Sequence, residues 1–374
     1  MIPVQRHLFD IPEDVAYLNC AYMGPLMKSV AAAAEEGARR KAQPWTIKPA
    51  DFFETPERVR GLVAQLMNAT ADHIAIVPSA SYGLAVAAKN LPVKAGEEIV
   101  LAADQFPSNR HIWAKIAAET GARLVLADGE DLTEAFVSCI NERTSIVAAA
   151  ACRWTDGRKI DLLEVSKACR QNNAALVLDL TQSLGAQPFS VSGIDPDFVI
   201  AATYKWLLGP YSCGVLYVAD RHFDGEPLEE GWMNRAGAEN FANLVDYSDT
   251  YRAGARRFDM GEVANFAALP AVASALAQIN DWSVDNLYST LSQRNLYLVE
   301  RAKGLGLVPV SEIERAGHFL TLGLQDSAPA DLVQRLASDN VYVSQRGRSL
   351  RITPHVWTTP SDEDRLFKAL ERHI

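Results

Sequence analysis

Three short apolar runs between residues 174 and 218 constrain the fold more than any other part of the chain. They read AALVLDL, DFVIAAT and CGVLYV, and residues such as Gly, Pro and Asp separate them. Runs of this length that are rich in β-branched residues are typical of strands buried on both faces of a sheet. The first run carries Asp179 at its end, and Lys205 follows the second. Because open α/β sheets bind ligands at the carboxyl ends of their strands, we expect both side chains at one site.

Lys205 has unusual neighbours for a cation, because it stands between apolar segments and beside Tyr204 and Trp206. Burial would penalise the ammonium form and lower the pKa of the side chain, which favours an amine nucleophile near neutral pH. An amine that forms Schiff bases, with an acid for a pyridinium nitrogen, is what a pyridoxal phosphate (PLP) site requires. Taken singly, a strand-end Asp is more often a cap and a lone Lys is more often a surface side chain.

The order of motifs around these two residues resembles the class V aminotransferase family of PLP enzymes, which includes kynureninases, isopenicillin N epimerase-like proteins and cysteine desulfurases. The motifs are D-x-x-Q at Asp179 and Gln182, then SLGAQP, D-P-D and TYKWLLGP. The resemblance extends over nearly the entire chain. It implies the α/β architecture of fold type I, with a mostly parallel, doubly wound sheet in a large domain and a smaller C-terminal α/β domain.

The alternation of short apolar strands with helical segments also predicts a mostly parallel, doubly wound sheet. With 374 residues, the chain is long enough for two domains. We expect residues 15–265 to form the large PLP-binding domain, and residues 1–14 and 285–374 to form the small one. A long helix, at about 263–303, should join them.

The resemblance implies a role for each residue that matches a family motif. Lys205 would form the Schiff base with PLP and carry protons at the substrate Cα, and Asp179 would keep the ring nitrogen protonated. Gln182 would donate a hydrogen bond to the phenolic oxygen. Ala80 and Ser81 open a helical stretch, where backbone N–H groups and the helix dipole favour a phosphate.

Two further cofactor contacts follow from the resemblance. Phe106 would stack on the face of the pyridine ring, and its alternative role is ordinary core packing. Either Thr203 or Tyr204 would reach the phosphate. Many family members have Ser-x-His-Lys where this chain has Ala-Thr-Tyr-Lys, so the identity of the hydroxyl donor stays open.

Substrate contacts are implied at both ends of the chain. Asn19 and Tyr22 lie in a YLN-x-A-x-x-GP pattern that resembles the family's segment across the mouth of the active site. Arg351 lies in S-L-R-I-T-P, where the family's Arg binds the substrate α-carboxylate, a task that suits a planar guanidinium. Arg346 and Arg348 are alternatives to Arg351.

The irregular segment after residue 218 resembles a loop that completes the neighbouring subunit's site in related enzymes. It contains Trp232 within G-W-M. The resemblance implies a homodimer with shared active sites, in which Trp232 lines the partner's pocket or packs at the interface.

The reaction is less constrained than the cofactor, because pocket geometry decides which bond at Cα is broken. Class V transamination of an amino acid is the broadest expectation for this fold. A kynureninase-like Cβ–Cγ lyase or hydrolase and an isopenicillin N epimerase-like epimerase are the alternatives. Residues 341–351 lack the nucleophilic Cys of cysteine desulfurases, which disfavours that reaction. A non-enzymatic PLP-fold binding protein is disfavoured because Lys205 and Asp179 are both present.

Charge and composition exclude several other partners. The net charge of −10 argues against nucleic acid or an anionic membrane as the main partner. No apolar run reaches the roughly 18 residues of a membrane span, and the N-terminus does not resemble a signal peptide. Five scattered cysteines suit a reducing cytosol, so we expect a cytoplasmic protein. The seven histidines show no metal-ligand spacing, and no metal site is expected.

Overall fold

The computed structural model describes all residues, Met1–Ile374, which form thirteen strands and eleven α-helices. The strands are β1 (Ala16–Tyr17), β2 (Ile74–Val77), β3 (Glu98–Ala102), β4 (Arg123–Ala127), β5 (Thr144–Ala149), β6 (Ala175–Asp179), β7 (Phe198–Ala202), β8 (Gly214–Val218), β9 (Val308–Pro309), β10 (Leu320–Gly323), β11 (Val341–Tyr342), β12 (Ser344–Arg346) and β13 (Ser349–Ile352). The helices are α1 (Lys28–Ala42), α2 (Asp51–Met67), α3 (Ala80–Asn90), α4 (Pro107–Thr120), α5 (Leu132–Cys139), α6 (Leu162–Gln171), α7 (Val191–Ile194), α8 (Ala268–Trp282), α9 (Val284–Lys303), α10 (Leu332–Ser338) and α11 (Pro360–His373).

Seven strands form a large sheet in the order β2-β8-β7-β6-β5-β3-β4. From β7 to β4 the neighbours run parallel, whereas β8 is antiparallel to both β7 and β2. Strands β3, β7 and β8 are buried along their whole length. This burial explains their continuous apolar sequences, because a sheet with helices on both faces exposes neither face to solvent. The predicted α/β class and the mostly parallel sheet are confirmed.

The C-terminal part has its own four-stranded antiparallel sheet, in the order β12-β13-β10-β9. Its inner face packs with helices α9 and α11 around a separate apolar core that includes Leu298, Leu350 and Leu366. The N-terminal segment joins this part, since β1 pairs in parallel with β11. Ala16 and Leu18 belong to the same core. The N-terminal segment therefore stays with the C-terminal part beyond the expected boundary at residue 15, and the domain division remains a prediction.

The segment expected as one long helix, at about 263–303, contains two helices. Helix α8 ends where Ser283 adopts a φ of +64°, and α9 begins immediately after it. A residue in this conformation interrupts the hydrogen-bond ladder of an α-helix, so one helix ends and the next begins there. Helix α8 packs against α1 and α2, while α9 contacts β9 and α11. No helix is both long and apolar enough to cross a membrane.

Candidate active site

A cavity of about 260 Å³ opens at the carboxyl ends of the parallel strands. The last residues of β3, β6 and β7 (Ala102, Asp179 and Ala202) line it, as expected for a ligand site in an open α/β sheet. The structure brings seven of the sequence-predicted residues to this cavity: Ala80, Ser81, Phe106, Asp179, Gln182, Tyr204 and Lys205.

Lys205 lies in the turn between β7 and β8 and is only 6% exposed. Its Nζ has no hydrogen-bonding or ionic partner in the protein and lies 5.5 Å from the ring centroids of both Phe106 and Tyr204. Burial lowers the pKa of Lys205 to about 8, although the negative charge of Asp179 acts in the opposite direction. The site therefore holds an amine that is partly neutral near physiological pH.

Asp179 is buried at the end of β6 and forms no salt bridge. Its Oδ1 accepts a hydrogen bond of 3.0 Å from the backbone N–H of Thr181. Burial raises the pKa of Asp179, despite the hydrogen bonds from Thr181 and the charge of Lys205, which act to lower it. A cationic group placed in the cavity would stabilise this carboxylate in its charged form.

Gln182 is held by three groups behind the cavity wall. Its Nε2 donates to the carbonyl oxygen of Ala21, and its Oε1 accepts from the indole Nε1 of Trp206, both at 3.1 Å. The main-chain carbonyl oxygen of Gln182 lies 2.7 Å from His318 Nε2. These contacts fix the amide and leave one Nε2 hydrogen for a group in the cavity.

The N-terminus of α3 forms another wall of the cavity. Ser79 is the N-cap, and its hydroxyl accepts a hydrogen bond of 3.1 Å from the N–H of Tyr82. Ala80 and Ser81 occupy the first turn, where the N–H groups have no acceptor within the helix. Free N–H groups at the positive end of a helix dipole are a ready anion site.

Thr203 does not line the cavity. Its buried hydroxyl lies within hydrogen-bond distance of the carbonyl oxygens of Pro210 (2.8 Å) and Cys213 (3.1 Å). The expectation that Thr203 reaches the phosphate is corrected, because this hydroxyl holds the turn around Lys205 together. Tyr204, the alternative donor, lines the cavity.

All four predicted substrate contacts, Arg351 among them, lie outside the lining of this cavity. Asn19 is buried and its Oδ1 has no hydrogen-bond partner, whereas Tyr22 is 54% exposed. Trp232 packs against Phe52 and Phe241, with ring centroids 6.0 and 5.4 Å away, at a separate groove. Trp232 is thus not brought to the cavity of its own chain.

The three candidate arginines are in different environments. Arg351 is fully buried on β13, where Nε and Nη2 donate to Ser344 Oγ (3.0 and 2.8 Å) and Nη1 donates to the carbonyl oxygen of Trp154 (2.9 Å). It has no carboxylate partner, and burial lowers its pKa to about 9. Arg348, in contrast, is exposed and paired with Asp326. A buried guanidinium without an acid makes Arg351 the stronger candidate for a carboxylate.

Several residues that line the cavity were not predicted as site residues, among them Ser79, Cys152, Tyr211 and Ser212. Cys152 follows the end of β5, so the rule of strand-end ligands was the available signal. Ser212 adopts a φ of +63° in the turn before β8. A positive φ is uncommon for serine, so the sequence did not predict this conformation.

Residues 48–357 of the chain match the model of the family described as aminotransferase class-V. The chain belongs to the class V aminotransferase family. It is 29% identical to the kynureninase of Deinococcus radiodurans over 290 residues, which cover 74% of this chain and 69% of that protein. It is 24% identical to the isopenicillin N epimerase of Streptomyces clavuligerus over 381 residues, which cover 96% and 94%.

A solved structure has the same fold as this class V enzyme. A mutant of C-DES with glycine covalently linked to its PLP cofactor matches with a TM-score of 0.87 and 19% identity, and the match covers 99% of this chain and 100% of the other. The cofactor of this family is PLP, and the cavity fits it. Lys205 offers an unpaired amine, Asp179 an acid without a cation, and the first turn of α3 offers free N–H groups for a phosphate.

Proposed function

We propose that this class V enzyme is an aminotransferase that acts on an amino acid and holds PLP covalently through Lys205. One observation carries the proposal: the unpaired amine of Lys205 and the unneutralised carboxylate of Asp179 line the same cavity. A buried amine and a buried acid that have no partner each cost folding free energy. Both groups are stabilised when a ligand supplies a carbonyl carbon and a ring cation.

When bound, PLP supplies a carbonyl for exchange with amines and a ring that withdraws electrons from the substrate Cα. Lys205 is the only lysine that lines the cavity, so its Nζ is the group that would take and return a proton at Cα. A pKa of about 8 keeps a useful fraction of that amine neutral at physiological pH. Transamination requires no second lysine of the protein for this proton transfer.

Other residues of the site would bind and orient the cofactor and the substrate. The N–H groups of Ala80 and Ser81 would bind the phosphate, and Gln182 would donate its remaining amide hydrogen to the cofactor. Phe106, whose ring meets Trp154 edge-to-face at 5.3 Å, would cover the ring and exclude water. Arg351 would bind the substrate α-carboxylate, because it is a buried cation without an acid and its Nη1 donates to Trp154, a residue of the cavity wall.

Particular residues and relatives favour or disfavour each of the other class V reactions. Persulfide chemistry needs a reactive thiolate, but burial raises the pKa of Cys152 to about 12. The kynureninase-like reaction is the second candidate, because Tyr204 precedes Lys205 and one relative is a kynureninase. The epimerase reaction is the third, because another relative is isopenicillin N epimerase.

A homodimer in the cytoplasm forms part of this proposal. The groove at Trp232 is also lined by Pro44, and the next residue along the chain, Trp45, is 79% exposed. Exposed aromatic residues of this kind favour a protein interface. All five cysteines are unpaired, which suits a reducing compartment.

Two measurements test the proposal. Borohydride reduction of the PLP-loaded protein followed by peptide mass analysis should place the cofactor mass on Lys205, and Lys205→Ala should remove it. A panel of amino acids with a 2-oxo acid acceptor should then yield a new amino acid and a new 2-oxo acid. Release of anthranilate from kynurenine would instead indicate the kynureninase-like reaction. Loss of optical rotation of an amino acid in the absence of an acceptor would indicate the epimerase reaction.

A further inference from the structure

Arg346 and Arg351 project from one face of the small sheet. In the antiparallel pair of β12 and β13, Ser344 lies opposite Arg351 and Arg346 lies opposite Ser349. Side chains two residues apart share a face, so the two arginines are diagonal neighbours, at a residue spacing of roughly 7–8 Å. The opposite face carries Leu350 into the C-terminal core.

This face packs against a wall of the active-site cavity, and neither arginine lines the cavity itself. Arg351 donates to the carbonyl oxygen of Trp154 (2.9 Å), and the Arg346 guanidinium lies 5.6 Å from the ring centroid of the same residue. Trp154 lines the cavity. Both positive charges also lower the pKa of Lys205, after the larger effect of burial, which places them within electrostatic reach of its amine.

Neither guanidinium has an acid. Arg351 donates only to Ser344 and Trp154, and Arg346 donates only to the carbonyl oxygen of Gln345. Three nearby arginines, in contrast, are paired with carboxylates: Arg153 with Asp104 and Asp156, Arg158 with Asp156 and Glu314, and Arg348 with Asp326. Two like charges kept together without an anion repel each other, and one α-carboxylate neutralises only one of them.

We propose that the substrate is an amino acid with a second acidic group, whose side-chain carboxylate binds to Arg346 while Arg351 holds the α-carboxylate. This inference rests on the proposed function, since it names the substrate class of the same site. A planar guanidinium can bind a carboxylate through two parallel hydrogen bonds, so two of them at this spacing select a dicarboxylate.

Calorimetric titration of the PLP-loaded enzyme with acids that cannot react tests the proposal. Succinate and glutarate should bind about 10- to 100-fold more tightly than butyrate and valerate, which have the same carbon counts, because a charged hydrogen bond is added. Arg346→Gln should remove this preference, and it should weaken monocarboxylate binding much less than it weakens dicarboxylate binding. Arg351→Gln should weaken both classes, and Arg348→Gln, on the same hairpin but paired with Asp326, should change neither.

Three results would overturn the proposal: equal affinity for the two classes in the unmodified enzyme, no binding of either class, or a preference that survives Arg346→Gln. Should Arg346→Gln fail to fold, Arg346→Lys keeps the charge without the planar fork and should reduce the preference only in part. Failure of the proposed function gives a different result. In that case borohydride leaves no cofactor mass on Lys205, or no amino group passes to a 2-oxo acid, whatever the acids bind.

Discussion

His318 and Gln182 are joined by a hydrogen bond of 2.7 Å between the imidazole Nε2 and the main-chain carbonyl oxygen. Because a carbonyl oxygen only accepts, Nε2 carries the proton and donates. The ring of His318 also meets Trp206 edge-on at 4.6 Å, and Trp206 donates to the side chain of Gln182. Two buried rings thus position a residue of the cavity from behind.

The buried histidines should make the protein sensitive to acid. Burial lowers the pKa of His318 to about 4 and that of His355 to about 3, from an ordinary value of 6.5. Between pH 6.5 and these values the unfolded chain binds protons that the folded chain does not, so stability falls as the pH falls. Each histidine contributes up to about 1.4 kcal/mol per pH unit. Urea unfolding at pH 7 and pH 5 measures this loss.

His355→Phe is the matched test of that loss. The ring of His355 stacks on Trp357 at 4.8 Å and neither of its nitrogens has a hydrogen-bond partner, so a phenyl ring fits the site chemically. The variant should lose less stability than the unmodified protein between pH 7 and pH 5. An unchanged difference between the two pH values would mean that His355 is protonated in the folded state.

Capture of PLP by the cofactor-free protein should depend on pH with a midpoint near 8. Attack on the aldehyde needs the neutral amine of Lys205, whose pKa is lowered to about 8 mainly by burial, so the rate should rise as the pH passes that value. Arg351→Gln removes a neighbouring cation that lowers this pKa, so its midpoint should move to higher pH. The growth of visible absorbance after mixing follows the reaction. A midpoint near the ordinary value of 10.5 would show that burial does not act on this amine.

Asp179→Asn should stabilise the cofactor-free protein and damage the enzyme. The pKa of Asp179 is raised by burial, so its charged form costs folding free energy once the pH exceeds the ordinary value of 3.8. The amide should therefore raise the free energy of unfolding at pH 7 by about 0.5–2 kcal/mol. Amino acid turnover should fall by roughly 10²-fold or more, since a charge aimed at the reacting group is lost. A variant less stable than the unmodified protein would contradict this account of Asp179.

Mixed dimers test whether Trp232 serves the partner's site. Lys205→Ala and Trp232→Ala chains should each be inactive as homodimers, and mixing them should restore activity, because one of the two shared sites then has both side chains. A mixture of Lys205→Ala with Asp179→Asn is the control, since both residues line one cavity and neither site is intact. Sedimentation should show a species of two 40.9 kDa chains. A monomer, or no recovery in the first mixture, would exclude shared sites.

The sequence by itself determined the α/β class and predicted that Asp179 and Lys205 meet at one site, and Gln182 followed from the family resemblance. Continuous apolar runs and strand-end polar residues are local signals, and parallel strands bring their carboxyl ends to one edge whatever else the chain does. The start of α3 was also accessible, because small residues before a helical stretch mark an N-terminus. The helix begins at Ala80, as expected, and Ser79 is its cap.

Only the tertiary structure decided which hydroxyls line the cavity and which cations lie against its wall. Thr203 looks equivalent to Tyr204 in sequence, yet its hydroxyl is satisfied by carbonyl groups of its own turn. Arg346 and Arg348 differ by two positions, yet Arg346 lies in β12 and contacts Trp154, whereas Arg348 lies in the turn before β13 and pairs with Asp326. Such choices depend on hydrogen bonds and charges between distant segments, and a local pattern of residues does not contain them.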